Sequence, residues 1–422
     1  MAKVIPFKGI LYNPEKVSAS SVMSPPYDIV TPETKEHLYS RSPHNIIRID
    51  FGKDKDGDST EENRYTRASS FLSDWLREGI LTHDSEQSFY CYEISYEING
   101  KRKKTRGFLG AVRIEELGKG KILPHEMTYS KPKSDRLNIL RHCRANISPI
   151  FSLYSSAEKL TSHILQSAVK EMPFIEANNG DGFMHRLWKI TDRDSIETIK
   201  KEMSDKDIFI ADGHHRYETA LSLKKEMEGM IPNSTGEEPF NYVLMFLANM
   251  EDEGLTLLPT HRMVEIDSDI NTKNILRKYF DMQKVSSEGA SDNLTMKRMF
   301  EKMQDNAHSF GLFLTNSNTY YCLHFNGSNM DITMPESLKK LDVTILHNFI
   351  FKKLLNVEHF EYEMAPDIAV ERARRGSFEA VFFLNPTKIQ DVKEVALAGQ
   401  RMPPKSTYFY PKLLTGMVIY KF

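Results

Sequence analysis

Between Ile208 and Leu221 the chain reads IFIADGHHRYETAL, and five adjacent residues at its centre, Asp212, Gly213, His214, His215 and Arg216, carry chemistry. A short apolar run precedes them and an amphipathic run follows, so they fall at a strand-to-helix turn. The first turn of a helix offers backbone N–H groups and the positive end of the dipole, a setting suited to an anion. Glycine lets the backbone approach a ligand closely. Arg216 can grip a phosphate bidentately, and His214 or His215 can donate or exchange a proton near neutral pH. Asp212 can cap the helix, hold a metal or orient a histidine. Three readings compete: a metal site, a phosphate cradle and a helix cap. His214 and Glu218 lie one turn apart on one helix face, but neither HExxH nor a Cys/His cluster accompanies them, which argues against zinc. Mg²⁺ arriving with a phosphate needs only one or two carboxylates. A cap explains Asp212 but not the glycine, the two histidines and the arginine together. The phosphate cradle is the reading that uses them all.

Other polar loops supply further groups. In SPPYDIVTPE, Ser24 to Glu33, the rigid Pro25-Pro26 pair aims Tyr27 and Asp28, and Thr31-Pro32 opens a helix. PHEMTYSKPKSDR sets His125, Glu126, Thr128, Lys133, Asp135 and Arg136 in one loop. PTHRMV places His261 and Arg262 beside a strand, and MPPKSTYFYPK combines Lys405, Ser406, Thr407 and Lys412 with three aromatic rings. Taken singly these are weak signals: a turn with a packed tyrosine is favoured for the first, an ordinary salt bridge accounts equally well for PTHRMV, and a solvated loop and a packed C-terminal loop account for the others. Taken together they offer cations for phosphate, a carboxylate for base catalysis and ring faces for a small substrate.

The 422 residues suffice for two or three domains with hydrophobic cores, and 40% apolar with 27% charged residues is ordinary for a soluble globular protein. A net charge of −2 gives no global field toward nucleic acid or membrane, so neither is an expected partner. The KRKK run beside Asn99-Gly100 reads as a solvated hairpin tip. The three cysteines lie far apart, which fits a reducing cytosol. The N-terminus lacks a signal-peptide core, and no run approaches the ~18 apolar residues of a membrane span. A cytoplasmic protein without zinc, haem or flavin is expected.

The elements that must position these groups alternate along the chain, and the fold class expected is mixed α/β. Residues 1–118 form an N-terminal α/β segment, with PHNIIRID (Pro43 to Asp50) read as a strand and FYCYEISYEINGKRKKTRGFLGAVRI as a hairpin. Residues 119–238 carry a polar loop, a helix from Asp135, an apolar segment, an NGDG turn and the DGHHR turn. After IPNSTGEEP, residues 239–422 form a C-terminal α/β domain that contributes the PPKSTYFYPK loop. No fixed-period repeat is present.

PPYDIV, PHEMTYSKPKSDRL, ANISPIFSLY, IADGHHRYETAL, LPTHR and MPPKSTYFYPKLLTG, in that order, resemble the domain of unknown function 1015 family from end to end. The carboxylate loop, the DRLNIL helix, the PIF segment and IADGHHR also resemble the core of the ParB/sulfiredoxin-like superfamily, and the DGHHR form is similar to its free-serine kinases. The resemblance implies a phosphotransferase acting on free L-serine or O-phosphoserine, with ATP, ADP or pyrophosphate as donor. It implies Glu126 as catalytic base, and the residues of the turn themselves offer Asp212 and His214 as further candidate catalytic groups. Gly213, His215, Arg216, Lys405, Ser406 and Thr407 would hold phosphate or nucleotide, and Tyr27, Asp28, His125, Arg136 and Arg262 would hold substrate. Asp28 or Asp212 would position Mg²⁺. The departures are a longer spacing from Glu126 to Asp212 and large flanking segments without counterpart. A sensor that binds nucleotide or phosphoserine without turnover, and a ParB-like nucleic-acid-associated protein, are the alternatives.

Overall fold

The computed structural model describes residues 2–422 except 129, 179, 181, 232, 268–270, 305, 329, 331–332 and 377, and of residues 130–132 only the backbone. Positions 179 and 181 of the expected NGDG turn and 232 of the expected boundary segment therefore lie outside the described residues. The chain divides into two compact units. Unit 1 holds Met1–Pro124, Thr128–Thr256 and Pro411–Phe422; unit 2 holds His125–Met127 and Leu257–Tyr410.

Unit 1 is built on a nine-stranded mixed sheet. Its strands are β1 (Val4–Ile5), β2 (Phe89–Ile98), β3 (Lys101–Arg113), β4 (Ile122–Leu123), β5 (Ile150–Tyr154), β6 (Ile175–Ala177), β7 (Met184–Ile190), β8 (Ile208–Asp212) and β9 (Tyr242–Asn249). The order is β4-β8-β5-β9-β3-β2-β7-β6, with β1 on β3. β8 runs parallel to β4 and antiparallel to β5, while β9 is parallel to β5 and antiparallel to β3. Asn99 and Gly100 both adopt positive φ, 51° and 71°, as the two-residue turn joining β2 to β3 requires. β5 and β9 are buried along their whole length, as continuous apolar runs in the middle of a sheet should be.

Four helices, α1 (Ser130–Cys143), α2 (Leu160–Ala168), α3 (Arg193–Met203) and α4 (His214–Met230), pack on this sheet. Leu140, Leu165, Ile199, Met203, Tyr217 and Leu223 meet Phe108, Ile150, Ile208, Ile210 and Val243 in one core. Each such fully buried side chain contributes ~1.5–3 kcal/mol. The Tyr217 hydroxyl donates to the Glu115 carbonyl at 2.7 Å and accepts from the Glu115 N–H at 2.9 Å, which fixes α4 in register. The helix expected from Asp135 starts earlier, at Ser130.

The strand expected at 43–50 is not formed; Ile47–Asp50 is a helical turn. Asn45 is the reason. Its Oδ1 accepts from the Ile47 N–H at 3.0 Å, and its Nδ2 donates to the Ser21 and Met23 carbonyls at 2.8 and 3.1 Å. A side chain that turns the backbone in this way outcompetes the β preference of the isoleucines.

Unit 2 contains a six-stranded antiparallel sheet of β10 (His261–Val264), β11 (Phe280–Lys284), β12 (Ser309–Leu314), β13 (Thr319–Phe325), β14 (Phe360–Glu363) and β15 (Ala380–Phe383). The order is β11-β13-β12-β15-β10-β14. Strand alternation sends Val264, Leu312 and Phe382 to one face, against Ile345, Phe349 and Phe351 of the helical segment Ile345–Leu355. Met263, Phe313 and Val381 go to the other, against Met296, Met299, Ala369 and Ala373 of helices Asp292–Met303 and Pro366–Arg375. The expected boundaries at 118/119 and 238/239 both run through the unit 1 sheet, because β3, β5 and β9 come one from each of the three expected segments.

Candidate functional site

The register of β8 against β5 shifts between Ile210 and Asp212, a bulge that re-aims the end of the strand. Gly213 follows as the N-cap of α4 with φ of 96°, so Asp212 is not the cap, and a glycine cap brings no side-chain oxygen to the first turn. A Cβ at 213 would meet Arg216 Nε at 2.9 Å, so both the backbone conformation and the space call for glycine. Arg216 folds back over the turn. Its Nη1 donates to the Pro149 carbonyl, its Nη2 lies 3.4 Å from Asp212 Oδ2, and its Nε is buried with no hydrogen-bond partner. Lys412 reaches the same Oδ2 at 3.2 Å, with its side chain only 10% exposed. One carboxylate oxygen thus holds two cations beside a helix N-terminus.

The Tyr27-Asp28 turn belongs to the same neighbourhood. Burial pushes the Tyr27 phenol up to about 12; the Arg136 charge opposes this, Asp28 adds to it, and Arg216 and Asp212 act more weakly in opposite senses. Tyr27 is therefore a neutral hydroxyl at any physiological pH. The Arg136 guanidinium lies 3.9 Å from the centre of its ring. Arg136 is itself buried and bound to Asp50 at 3.0 Å and Asp135 at 2.5 Å, and Arg64 joins Asp135 at 2.5 Å. Burial pushes the Asp135 carboxyl up, but the Arg136 and Arg64 charges outweigh it and hold the group below its ordinary value. In this arrangement Arg136 buttresses Tyr27. The loop is tied to the C-terminal segment of unit 1 by main-chain bonds between Ser24 and Thr415, 2.8 and 3.4 Å long. His214 is buried at the start of α4 and His215 half-buried. Glu218 accepts from Thr128 Oγ1 at 2.8 Å and Lys133 Nζ at 2.7 Å.

A second group of expected residues gathers inside unit 2. Glu126 pairs with Met402 as an isolated parallel bridge, with the Met402 N–H donating to the His125 carbonyl at 2.7 Å. The fully buried His125 shares a hydrogen bond of 2.9 Å with Thr407 Oγ1. Glu126 Oε1 accepts from the Lys405 N–H, residues 279 apart in sequence. Lys405 adopts a φ of 57°, the left-handed region that costs a non-glycine residue energy. Its carbonyl accepts from Arg262 Nη2 at 2.9 Å. Arg262 is buried, and its Nε donates to His347 Nε2 at 3.2 Å. Burial, aided by the Arg262 charge, pushes His347 down to about 3, so the ring is neutral and can accept. Ser406 Oγ donates to the Pro403 carbonyl at 2.6 Å.

Tyr27, Asp28, Arg136, Asp212, Gly213, His214, His215 and Arg216 thus belong to unit 1, whereas His125, Glu126, Arg262, Lys405, Ser406 and Thr407 belong to unit 2. Sequence reasoning counted Lys412 among the loop cations for phosphate without connecting it to Asp212, and assigned no role to the Pro149 carbonyl. Lys412 stood in a quoted motif, but no spacing rule connects it to Asp212. Among the described residues no group of three or more His, Cys, Asp or Glu could hold a metal ion. Asp212, with two cations on one oxygen, does not fit a divalent metal ligand.

These features define a mixed α/β protein with a large mixed sheet and a charged strand-to-helix turn. The chain belongs to the family described as protein of unknown function (DUF1015), which matches residues 4–344. No curated protein matches the sequence. Among solved structures it is similar to a free serine kinase in complex with AMP, at 12% identity and a TM-score of 0.37 over 72% of this chain and 98% of that one. It is similar to SbnI with a C-terminal truncation from Staphylococcus aureus at 9% identity and a TM-score of 0.37, over 73% and 85% of the two chains. A conserved hypothetical protein from Pyrococcus furiosus aligns at 13% identity and a TM-score of 0.34, over 68% and 87%.

Proposed function

We propose that the protein transfers a phosphoryl group between a small donor, ATP, ADP or pyrophosphate, and the hydroxyl of free L-serine or a close analogue, in either direction. The observation that carries this reading is the turn of unit 1. There a glycine-capped helix N-terminus, a buried Arg216 Nε without a partner and the Lys412 ammonium lie together, an arrangement that suits a phosphate. The ParB/sulfiredoxin-like core proposed for residues 119–238 contains this turn.

In the reaction the acceptor oxygen forms a bond to phosphorus as the bond from phosphorus to the donor's bridging oxygen breaks. Glu126, in unit 2, is the candidate general base for the acceptor proton on its place in the motif order alone. The first-turn amides of α4, Arg216 and Lys412 stabilise the charge developing on the transferred group. The Tyr27 hydroxyl, neutral throughout, serves as a hydrogen-bond donor. Mg²⁺ is the ion expected with such a donor, with Asp28 as its candidate carboxylate, and would neutralise phosphate charge.

The test is incubation of the protein with serine, Mg²⁺ and each donor in turn, with detection of phosphoserine, and the reverse reaction from phosphoserine. Absence of product with every donor in both directions refutes serine as the substrate. Tight donor binding without transfer would instead make the protein a sensor. Glu126→Gln is expected to lower turnover by ~10²–10⁴-fold with donor affinity nearly kept; full activity removes Glu126 as base.

A further inference from the structure

A cavity of about 440 Å³ opens within unit 2, and all of its lining residues lie between Pro259 and Ser406. Pockets of this size hold small metabolites. Two kinds of group line it. Arg262 and Lys388 bring positive charge, and Lys340 lines the same wall with its ammonium already paired to Glu394. The Arg262 guanidinium is fixed by the Thr260 and Lys405 carbonyls and by the neutral His347 ring, so little freedom remains to be lost when a ligand binds. The other groups are acceptors. Thr387 donates its hydroxyl hydrogen to the Ser406 carbonyl at 2.9 Å, and Ser406 donates its own to the Pro403 carbonyl at 2.6 Å. Both hydroxyl oxygens are left with lone pairs to offer. Asp342 and Asp391 add carboxylate acceptors to the same walls.

A ligand that satisfies cations and acceptors together carries an anionic group and several hydroxyls. A bare anion would leave the acceptors unmatched, and an uncharged polyol would leave the cations unmatched. We infer that unit 2 holds a binding site for a phosphate ester of a polyol, with the phosphate toward Arg262 and Lys388 and hydroxyls toward Thr387, Ser406 and Asp391. A sugar phosphate and a nucleotide are the two sources of that chemistry. The site is separate in its residues from the turn at Gly213 and does not depend on phosphoryl transfer occurring there.

Titration calorimetry on the full chain with ribose 5-phosphate, AMP, ribose and inorganic phosphate tests this. At least one of the two esters binds, and which one does identifies the source. Ribose and inorganic phosphate bind at least about tenfold more weakly, because each satisfies only half of the wall. Asn385→Trp, which fills the cavity, and Lys388→Glu, which reverses an exposed charge on its rim, each weaken the ester by about tenfold or more. Asp212→Asn leaves ester binding as in the wild type. The inference is overturned if neither ester gives a binding heat, or if folded N385W and K388E both bind like the wild type. It is equally overturned if D212N abolishes binding, which would assign the ester to the turn instead.

Discussion

Removing Lys412 tests the organisation of the turn most directly. Lys412 Nζ stands 3.2 Å from Asp212 Oδ2, the two side chains are 10% and 23% exposed, and Arg216 Nη2 approaches the same oxygen at 3.4 Å. At 3.2 Å, Coulomb's law with an effective dielectric of about 20 gives ~5 kcal/mol of gross attraction. Desolvation of both partners and the ordering of the lysine side chain offset the larger part of it. A coupling of about 1–3 kcal/mol is then expected between the two residues, within the range of partly buried networks. The assay is a double-mutant cycle of wild type, Lys412→Met, Asp212→Asn and the double variant, each unfolded in urea. K412M leaves an ionised Asp212 with one cation and loses about 1–3 kcal/mol; adding D212N recovers part of that loss. Parallel measurement of phosphoserine formation should give a larger fall in kcat than in donor affinity for K412M, because Lys412 meets charge that grows in the transition state. A coupling below about 0.5 kcal/mol would refute the pairing and with it the reading of Asp212 as an organiser of cations.

Gly213→Ala places a Cβ 2.9 Å from Arg216 Nε on a backbone at φ 96°, so a loss of about 1–3 kcal/mol in urea unfolding is expected together with reduced phosphate transfer; an unchanged midpoint would contradict the turn geometry. Lys405→Gly relieves the left-handed backbone at φ 57° and keeps the main-chain N–H that Glu126 accepts from, so its stability should rise by up to about 1 kcal/mol. A clear destabilisation would show that the lysine side chain, not the backbone, secures the loop. Burial pushes His185, His261 and His347 down to about 3, so these rings stay neutral in the folded protein while the unfolded chain protonates them near their ordinary value. Their contribution to stability is complete above pH ~6.5 and is lost as the pH falls toward 3, at up to about 1.4 kcal/mol per histidine per pH unit. Unfolding midpoints that do not fall between pH 7 and pH 5 would refute their burial as neutral rings.

What the sequence made legible follows the range of the interactions involved. The hairpin at Asn99-Gly100 and the turn at Gly213 were readable because each depends on a local backbone requirement that few residues meet. The segment at 43–50 was misread because the β preference of Ile46, Ile47 and Ile49 is visible in composition, whereas the three hydrogen bonds of the Asn45 side chain depend partly on residues 21 and 23. Arg136 looked like a substrate ligand because a loop cation is ordinarily solvated. Its bonds to Asp50 and its stacking on Tyr27 come from distant parts of the chain, and they turn it into a buried support. The two longest polar motifs hid their organisation for a related reason. PHEMTYSKPKSDR changes unit after Met127, and MPPKSTYFYPK changes unit after Tyr410, so neighbours in sequence serve different folds.

The same distinction decides how the DGHHR turn works. Read as residue types, Arg216 is the group that grips phosphate and Asp212 the group that holds a metal or caps the helix. In the folded chain Arg216 gives one nitrogen to the Pro149 carbonyl and another to Asp212, and Asp212 also holds Lys412. A guanidinium anchored in this way cannot follow a phosphate about; it presents a fixed charge and the one buried Nε left without a partner. Fixed charge is what transition-state stabilisation requires, because dipoles and cations already in place need no reorganisation as charge moves. Gly213 makes the arrangement sterically feasible, the β8 bulge aims it, and Asp212 keeps two cations within reach of one helix N-terminus. The selectivity for an anion that we propose for the turn therefore resides less in any single side chain than in the carboxylate that holds its neighbours still.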